Sequence, residues 1–150
     1  MGRMYTVQFN GQSVSVAQDL FQLESLSVPL TLHAVYLSQT SDVGDSSAEN
    51  LLIRILRVTD VVTDDLATVQ LDKGDATQTA DVAVNETTQL VTGLEVIHSE
   101  AWNIALPFIW LPPPEMRVHG VVGDVIVVNI PAPADALTMS GTVYFEEQGS

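Results

Sequence analysis

Cysteine is absent from the 150 residues. That excludes a disulfide framework, a zinc site built on thiolates and a cysteine nucleophile. Basic residues are almost as scarce. Arg3, Arg54, Arg57, Lys73 and Arg117 stand against 19 acidic residues, for a net charge of −14. Affinity for nucleic acid comes mainly from Lys and Arg neutralising phosphates, so no direct nucleic-acid partner is expected. An anionic membrane surface is disfavoured for the same reason. No uninterrupted apolar run approaches the ~18 residues of a membrane span. The start, Met1 to Thr6, leads into an alternating pattern rather than the apolar core of a signal peptide.

Chemical signatures are missing too. There is no G-x-S-x-G elbow, no P-loop and no G-x-G-x-x-G. Serines are plentiful, but none sits in a triad context. Glycosidase-type chemistry needs two carboxylates at a set separation, and nothing singles out a pair among the 19 acids. No catalytic residue and no cofactor are assigned.

What is present is β-pattern. Hydrophobic residues make up 46% of the chain and charged residues only 16%, which is not a disordered composition. A chain this long buries roughly 68–70% of its unfolded surface, so residues 1–150 read as one domain. Tyr5, Val7 and Phe9 alternate with Thr6, Gln8 and Asn10, the period of a half-buried strand. Asn10-Gly11 is a two-residue turn signal, so Tyr5 to Val16 reads as a hairpin. Further strands are expected at Phe21–Leu23, Leu30–Leu37, Thr68–Leu71, Val82–Val84, Leu94–His98, Ile104–Trp110, Val125–Ile130 and Thr138–Glu146. The last carries Met139, Gly141, Val143 and Phe145 on one face. Leu111-Pro112-Pro113-Pro114 reads as extended chain, since proline fixes φ and blocks helix. Nine to eleven short strands bounded by Gly, Pro, Asn and Asp argue for an all-β sandwich or barrel.

The run from Ser38 to Val58 is ambiguous. Ser46-Ser47-Ala48-Glu49 matches a capping box, and Leu51, Leu52, Ile55 and Leu56 fall at helical spacing. Ile53, Ile55 and Val58 favour a central strand, which is apolar on both faces. The all-β surroundings favour strand, paired with Leu30–Leu37 across an acidic loop. In that loop Asp42, Asp45 and Glu49 offer oxygens to an ion. Their spacing of three and four does not match a calcium loop. A solvated turn is the preferred reading.

Three histidines, His33, His98 and His119, are isolated in sequence. Metal binding needs them to converge in space; the plainer reading is three separate hydrogen-bonded residues. Trp102, Phe108 and Trp110 lie beside the triple proline. Phe108 reads as core, while each Trp is open between core filler and contact residue. The interaction candidates are therefore Arg3, Tyr5, Trp102, Trp110, Pro112, Pro113 and Pro114.

Four stretches together carry a resemblance. They are Met4-Tyr5-Thr6-Val7-Gln8-Phe9, Ala17-Gln18-Asp19-Leu20-Phe21, Ser41-Asp42-Val43-Gly44-Asp45 with Ala48-Glu49, and Pro133 to Thr142 with its Phe-Glu-Glu ending. The chain resembles head decoration, or cement, proteins of tailed bacteriophages. The resemblance implies a jelly-roll-like antiparallel β-sandwich, commonly a homotrimer, on the outer capsid surface of the virion. Its partner would be the major capsid protein, with neighbouring subunits bridged and residues 1–8 as a candidate contact arm. None of these motifs is catalytic. Three other readings stay open: a carbohydrate-binding module using an exposed Trp102 or Trp110, a cupin-like metal enzyme on the three histidines, and a tail or fibre component.

Overall fold

The computed structural model describes residues 2–40, 50–131, 133 and 136–149. In chain order the strands are β1 (Arg3–Val14), β2 (Gln18–Glu24), β3 (Leu30–Gln39), β4 (Asn50–Val58), β5 (Val69–Gln70), β6 (Asp81–Glu86), β7 (Glu95–Asn103), β8 (Phe108–Trp110), β9 (Val118–Gly120), β10 (Val125–Ile130) and β11 (Leu137–Glu147). A single 3-10 turn, Pro114–Met116, lies between β8 and β9. The alternation near the C-terminus becomes β11, where buried and half-buried positions alternate without a break. The apolar run Val125–Ile130 becomes β10, buried at every position because both its faces are covered.

Every strand pairing is antiparallel, and most join distant parts of the chain. Strand β1 pairs with β11, β2 with β10, β3 with β8 and β9, and β4 with β7. That nesting is a long two-stranded ribbon rolled on itself, which is the jelly roll. It yields two sheets, ordered β5-β1-β11-β3-β8 (with β9 also on β3) and β6-β2-β10-β4-β7. They face each other across one core, which holds Tyr5, Phe9, Phe21, Leu32, Val35, Ile53, Ile55, Ile126, Val128 and Phe145. Each such side chain contributes roughly 1.5–3 kcal/mol by leaving water. Gly141 makes room at the centre: a Cβ there would sit 2.8 Å from Phe9 and 2.9 Å from Leu37.

Several expectations change. Asn10-Gly11 is not a hairpin turn. β1 runs through it, with Phe9 opposite Gly141 and Gln12 opposite Met139. The extra residue forms a bulge, and Gly11 takes the positive φ of 61° that the bulge needs. The same conformational freedom serves turn and bulge alike. Leu51–Val58 is strand, which removes the helix reading, but it does not pair with Leu30–Leu37. It lies in the other sheet, between β10 and β7, so β3 and β4 belong to different sheets. The acidic residues Asp42, Asp45 and Glu49 fall outside the described residues. Ile104–Trp110 is strand only from Phe108, because Asn103 turns the chain: Leu106 N donates to Asn103 O at 3.0 Å. Pro114 is not extended; it opens the 3-10 turn, where a missing N–H costs nothing. Arg3–Gln8, within the candidate contact arm, pair residue by residue with β11.

The outer faces of the two sheets differ. On the β6–β2–β10–β4 sheet, Val62 from before β6 and Leu90 and Leu94 from after it pack over Leu56, Val58, Ala83, Val125 and Val127. Buried carboxylates help hold this cover. Asp19 Oδ2 accepts from Leu90 N at 2.9 Å, and Glu24 Oε2 from Val62 N at 2.7 Å. Burial raises the Asp19 carboxyl above the usual aspartate range, against the lowering effect of its hydrogen bonds and Arg54. Among the described residues the outer face of the β1–β11–β3 sheet is open, with Tyr36 and Tyr144 packed edge to face at 6.0 Å.

Candidate interaction surface

The two sheets end on the same side of the sandwich in β7 and in β8 with β9. Side chains alternate along β8: Phe108 and Trp110 point inward, and Ile109 between them is 56% exposed. Trp102 reaches inward from β7. Its indole Nε1 donates to Leu106 O at 2.6 Å, and its ring meets Phe108 edge-on at 6.5 Å. The rest of β7 is mostly exposed on both faces, as a sheet edge with no further strand would be.

After Trp110 the chain leaves the sheet edge in a proline arch. Pro113 is extended, Pro114–Met116 turn, and Met116 N donates to Pro113 O at 2.9 Å. Proline cannot donate to a sheet ladder, so the arch splits the pairing along β3 into the separate ladders of β8 and β9. Between arch and β7 lies a cleft of about 220 Å³. Trp110, 8% exposed, lies in its lining beside His98, the two rings 6.2 Å apart. Ile97, Leu111 and Met116 line it too, with Leu111 and Met116 about two-thirds exposed. Leu106, Val121 and Val122 extend the exposed apolar side chains along this segment of the chain.

Charge sits at the margin. Arg57 pairs with Glu95 at 2.6 Å and also donates to His119 O at 3.1 Å, tying β4 to β7 and β9 across the open side. His98 and Glu100 lie 3.1 Å apart. An apolar floor with polar groups around it is the anatomy of a protein-binding surface.

The predicted contact residues divide. Pro112, Pro113 and Pro114 stand on the arch, and Trp110 lines the cleft beneath them. Trp102 and Tyr5 are core residues, 3% and 0% exposed, and offer a partner no surface. Tyr5 stacks on Phe145 at 5.5 Å and donates its hydroxyl to Ala76 O at 3.0 Å. Burial, then the nearby Glu147 charge, raises its phenol above the usual range. Arg3 is half-buried, far in register from the cleft, opposite Glu147. Sequence reading missed Ile97, Ile109, Leu111 and Met116. The signal was available for Ile109, whose neighbours on both sides are aromatic and take the inward positions.

The histidines stand apart. His33 bonds Glu146 at 2.7 Å, His119 bonds Thr31 at 2.7 Å, and His98 bonds Glu100. Among the described residues, no three His, Asp or Glu side chains are grouped to hold a metal ion. No helix among the described residues is long and apolar enough to cross a membrane. The fold and surface define a class: a jelly-roll β-sandwich with an apolar cleft at one edge. No protein-family model, curated protein or solved structure matches the chain.

Proposed function

We propose that this chain is a structural virion protein that decorates a tailed-phage head, bridging neighbouring major-capsid subunits as a trimer. The observation that carries the reading is the cleft between β7 and the proline arch, where Ile97, Ile109, Leu111 and Met116 lie exposed above Trp110. A monomer leaves such side chains in water at a cost that a partner recovers. The jelly roll agrees with the fold the resemblance implies. The net charge of −14 suits the outside of a shell, where contact with the genome is unwanted. Repetition of a modest interface over many copies holds one particle effectively.

The reading assigns the protein no chemistry. Its work is mechanical: apolar side chains of one subunit seat on adjacent capsid subunits and resist their separation. Cryo-electron microscopy of heads incubated with the purified chain tests this. Ordered density at local threefold positions is expected. Heads that stay bare at saturating protein would overturn the proposal.

A further inference from the structure

The open face of the β1–β11–β3 sheet is a second surface, different in kind. Two shallow depressions lie on either side of β11 and share Thr142. One, of about 350 Å³, includes Tyr36 and Ser140; the other, of about 330 Å³, includes Thr6, Gln8 and Tyr144. Both sit at the low end of the volumes that hold small ligands. The register sets them in two rungs across the sheet. One runs Val69, Thr6, Tyr144; the next runs Gln8, Thr142, Tyr36, Ile109. From β5 to β8 that spans four inter-strand steps, roughly 19 Å.

Two features set this trough apart. No residue lining either depression carries a charge, although the chain holds 24 charged residues, 19 acidic and 5 basic. The nearest rung beyond Tyr144 holds Glu146, and it is engaged: it bonds His33 at 2.7 Å and accepts from Gly2 N at 3.0 Å. Some lining groups are also satisfied. Thr6 donates to Val143 O, and Ser140 accepts from Gly11 N. Among the described residues, the side chains of Gln8, Tyr36, Thr142 and Tyr144 have no hydrogen-bond partner in the protein. They present two tyrosine rings, three hydroxyls and an amide to whatever lies on the sheet.

We infer that this trough binds a neutral polysaccharide, laid across the strands. Charge argues for that occupant. A polyanion is repelled by the −14 body, and a cation finds no carboxylate in the lining. Apolar side chains such as Leu37, Val69 and Ile109 line the trough among those free polar groups, a mixture matched by a sugar ring that is apolar on its faces and polar at its rim. A sugar chain offers hydroxyls for Gln8, Thr142 and the phenols, and apolar ring faces for Tyr36 and Tyr144. The trough lies on another face and shares only Ile109, at its end, with the edge cleft, so Tyr36, Thr142 and Tyr144 test the inference apart from the decoration role.

Affinity electrophoresis tests it, with gels containing a neutral glucan, mannan or galactan, and alginate as the anionic control. Retardation by at least one neutral polymer is expected, weakened roughly tenfold in Tyr36→Ala and Tyr144→Ala. Thr142→Arg, at the half-buried position the two depressions share, should weaken it equally with an unfolding midpoint unchanged from the native chain, which separates the effect from a folding defect. Met116→Glu at the edge cleft should leave retardation unchanged. Retardation by alginate alone, by no polymer, or undiminished in Tyr36→Ala and Thr142→Arg would overturn the inference.

Discussion

Glu147 holds Ala80. The carboxylate Oε1 at the end of β11 accepts from Ala80 N at 2.7 Å and from Thr79 N at 2.6 Å, with the Thr79 hydroxyl at 3.1 Å. Glu147 is 1% exposed. It is the third buried carboxylate, after Asp19 and Glu24, that receives backbone N–H groups of the Thr59–Leu94 chain. These acids act as caps for a long connection with little ladder of its own.

Removing that acceptor strands two N–H groups away from water. Glu147→Ala should lower stability by about 3 kcal/mol, since bonds to charged groups contribute more than neutral ones. Glu147→Gln keeps an acceptor and should lose about 1 kcal/mol. Urea unfolding at neutral pH measures both. A loss for Glu147→Ala within about 0.5 kcal/mol of zero, the range of an ordinary surface change, would contradict this account.

Asp19 makes stability depend on pH in a defined direction. Its carboxyl is raised by burial, so the folded chain holds a proton that the unfolded chain releases. Between the ordinary aspartate value and the raised one, the native state binds more protons, and this residue's contribution falls as pH rises. Asp19→Asn removes that slope. The variant should therefore gain on the native chain as pH increases through the window above about 4. Unfolding free energies at successive pH values give the comparison; parallel curves would contradict the burial argument.

Gly141 carries a packing prediction. A methyl there would press on Phe9 and Leu37, at contacts real side chains do not reach. Gly141→Ala should cost about 1–3 kcal/mol by overpacking. Thermal unfolding followed by circular dichroism reads it. A gain in stability would mean that the two sheets close less tightly than described.

Local pattern carried much of the fold. The alternation of β11 and the apolar run of β10 each have one reading once the strand period is applied. Leu51–Val58 was resolvable by its β-branched residues and its neighbours. Pairing was not resolvable, because partners such as Tyr5 and Phe145 lie at opposite ends of the chain. Neighbouring strands like β3 and β4 go to different sheets, which no local signal encodes. Asn10-Gly11 misled because a positive φ serves a bulge and a hairpin alike. The roles of Asp19, Glu24 and Glu147 were invisible, since a carboxylate is buried only where distant N–H groups meet it. The tryptophans split for a similar reason. Trp102 faces the core from an edge strand, while Trp110 meets the gap between two edges.

The edge cleft is where the proposed function stands or falls. Ile97 and Met116 are exposed, so Ile97→Glu and Met116→Glu should each leave stability within about 0.5 kcal/mol. Each places an unpaired charge in the docking floor, which an apolar interface does not tolerate. The direct measurement is the occupancy of phage heads by the native chain and by the two variants, counted by cryo-electron microscopy at saturating protein. The account predicts full threefold decoration by the native chain and near-empty positions with either variant. Equal occupancy for all three, or none for the native chain, would contradict it.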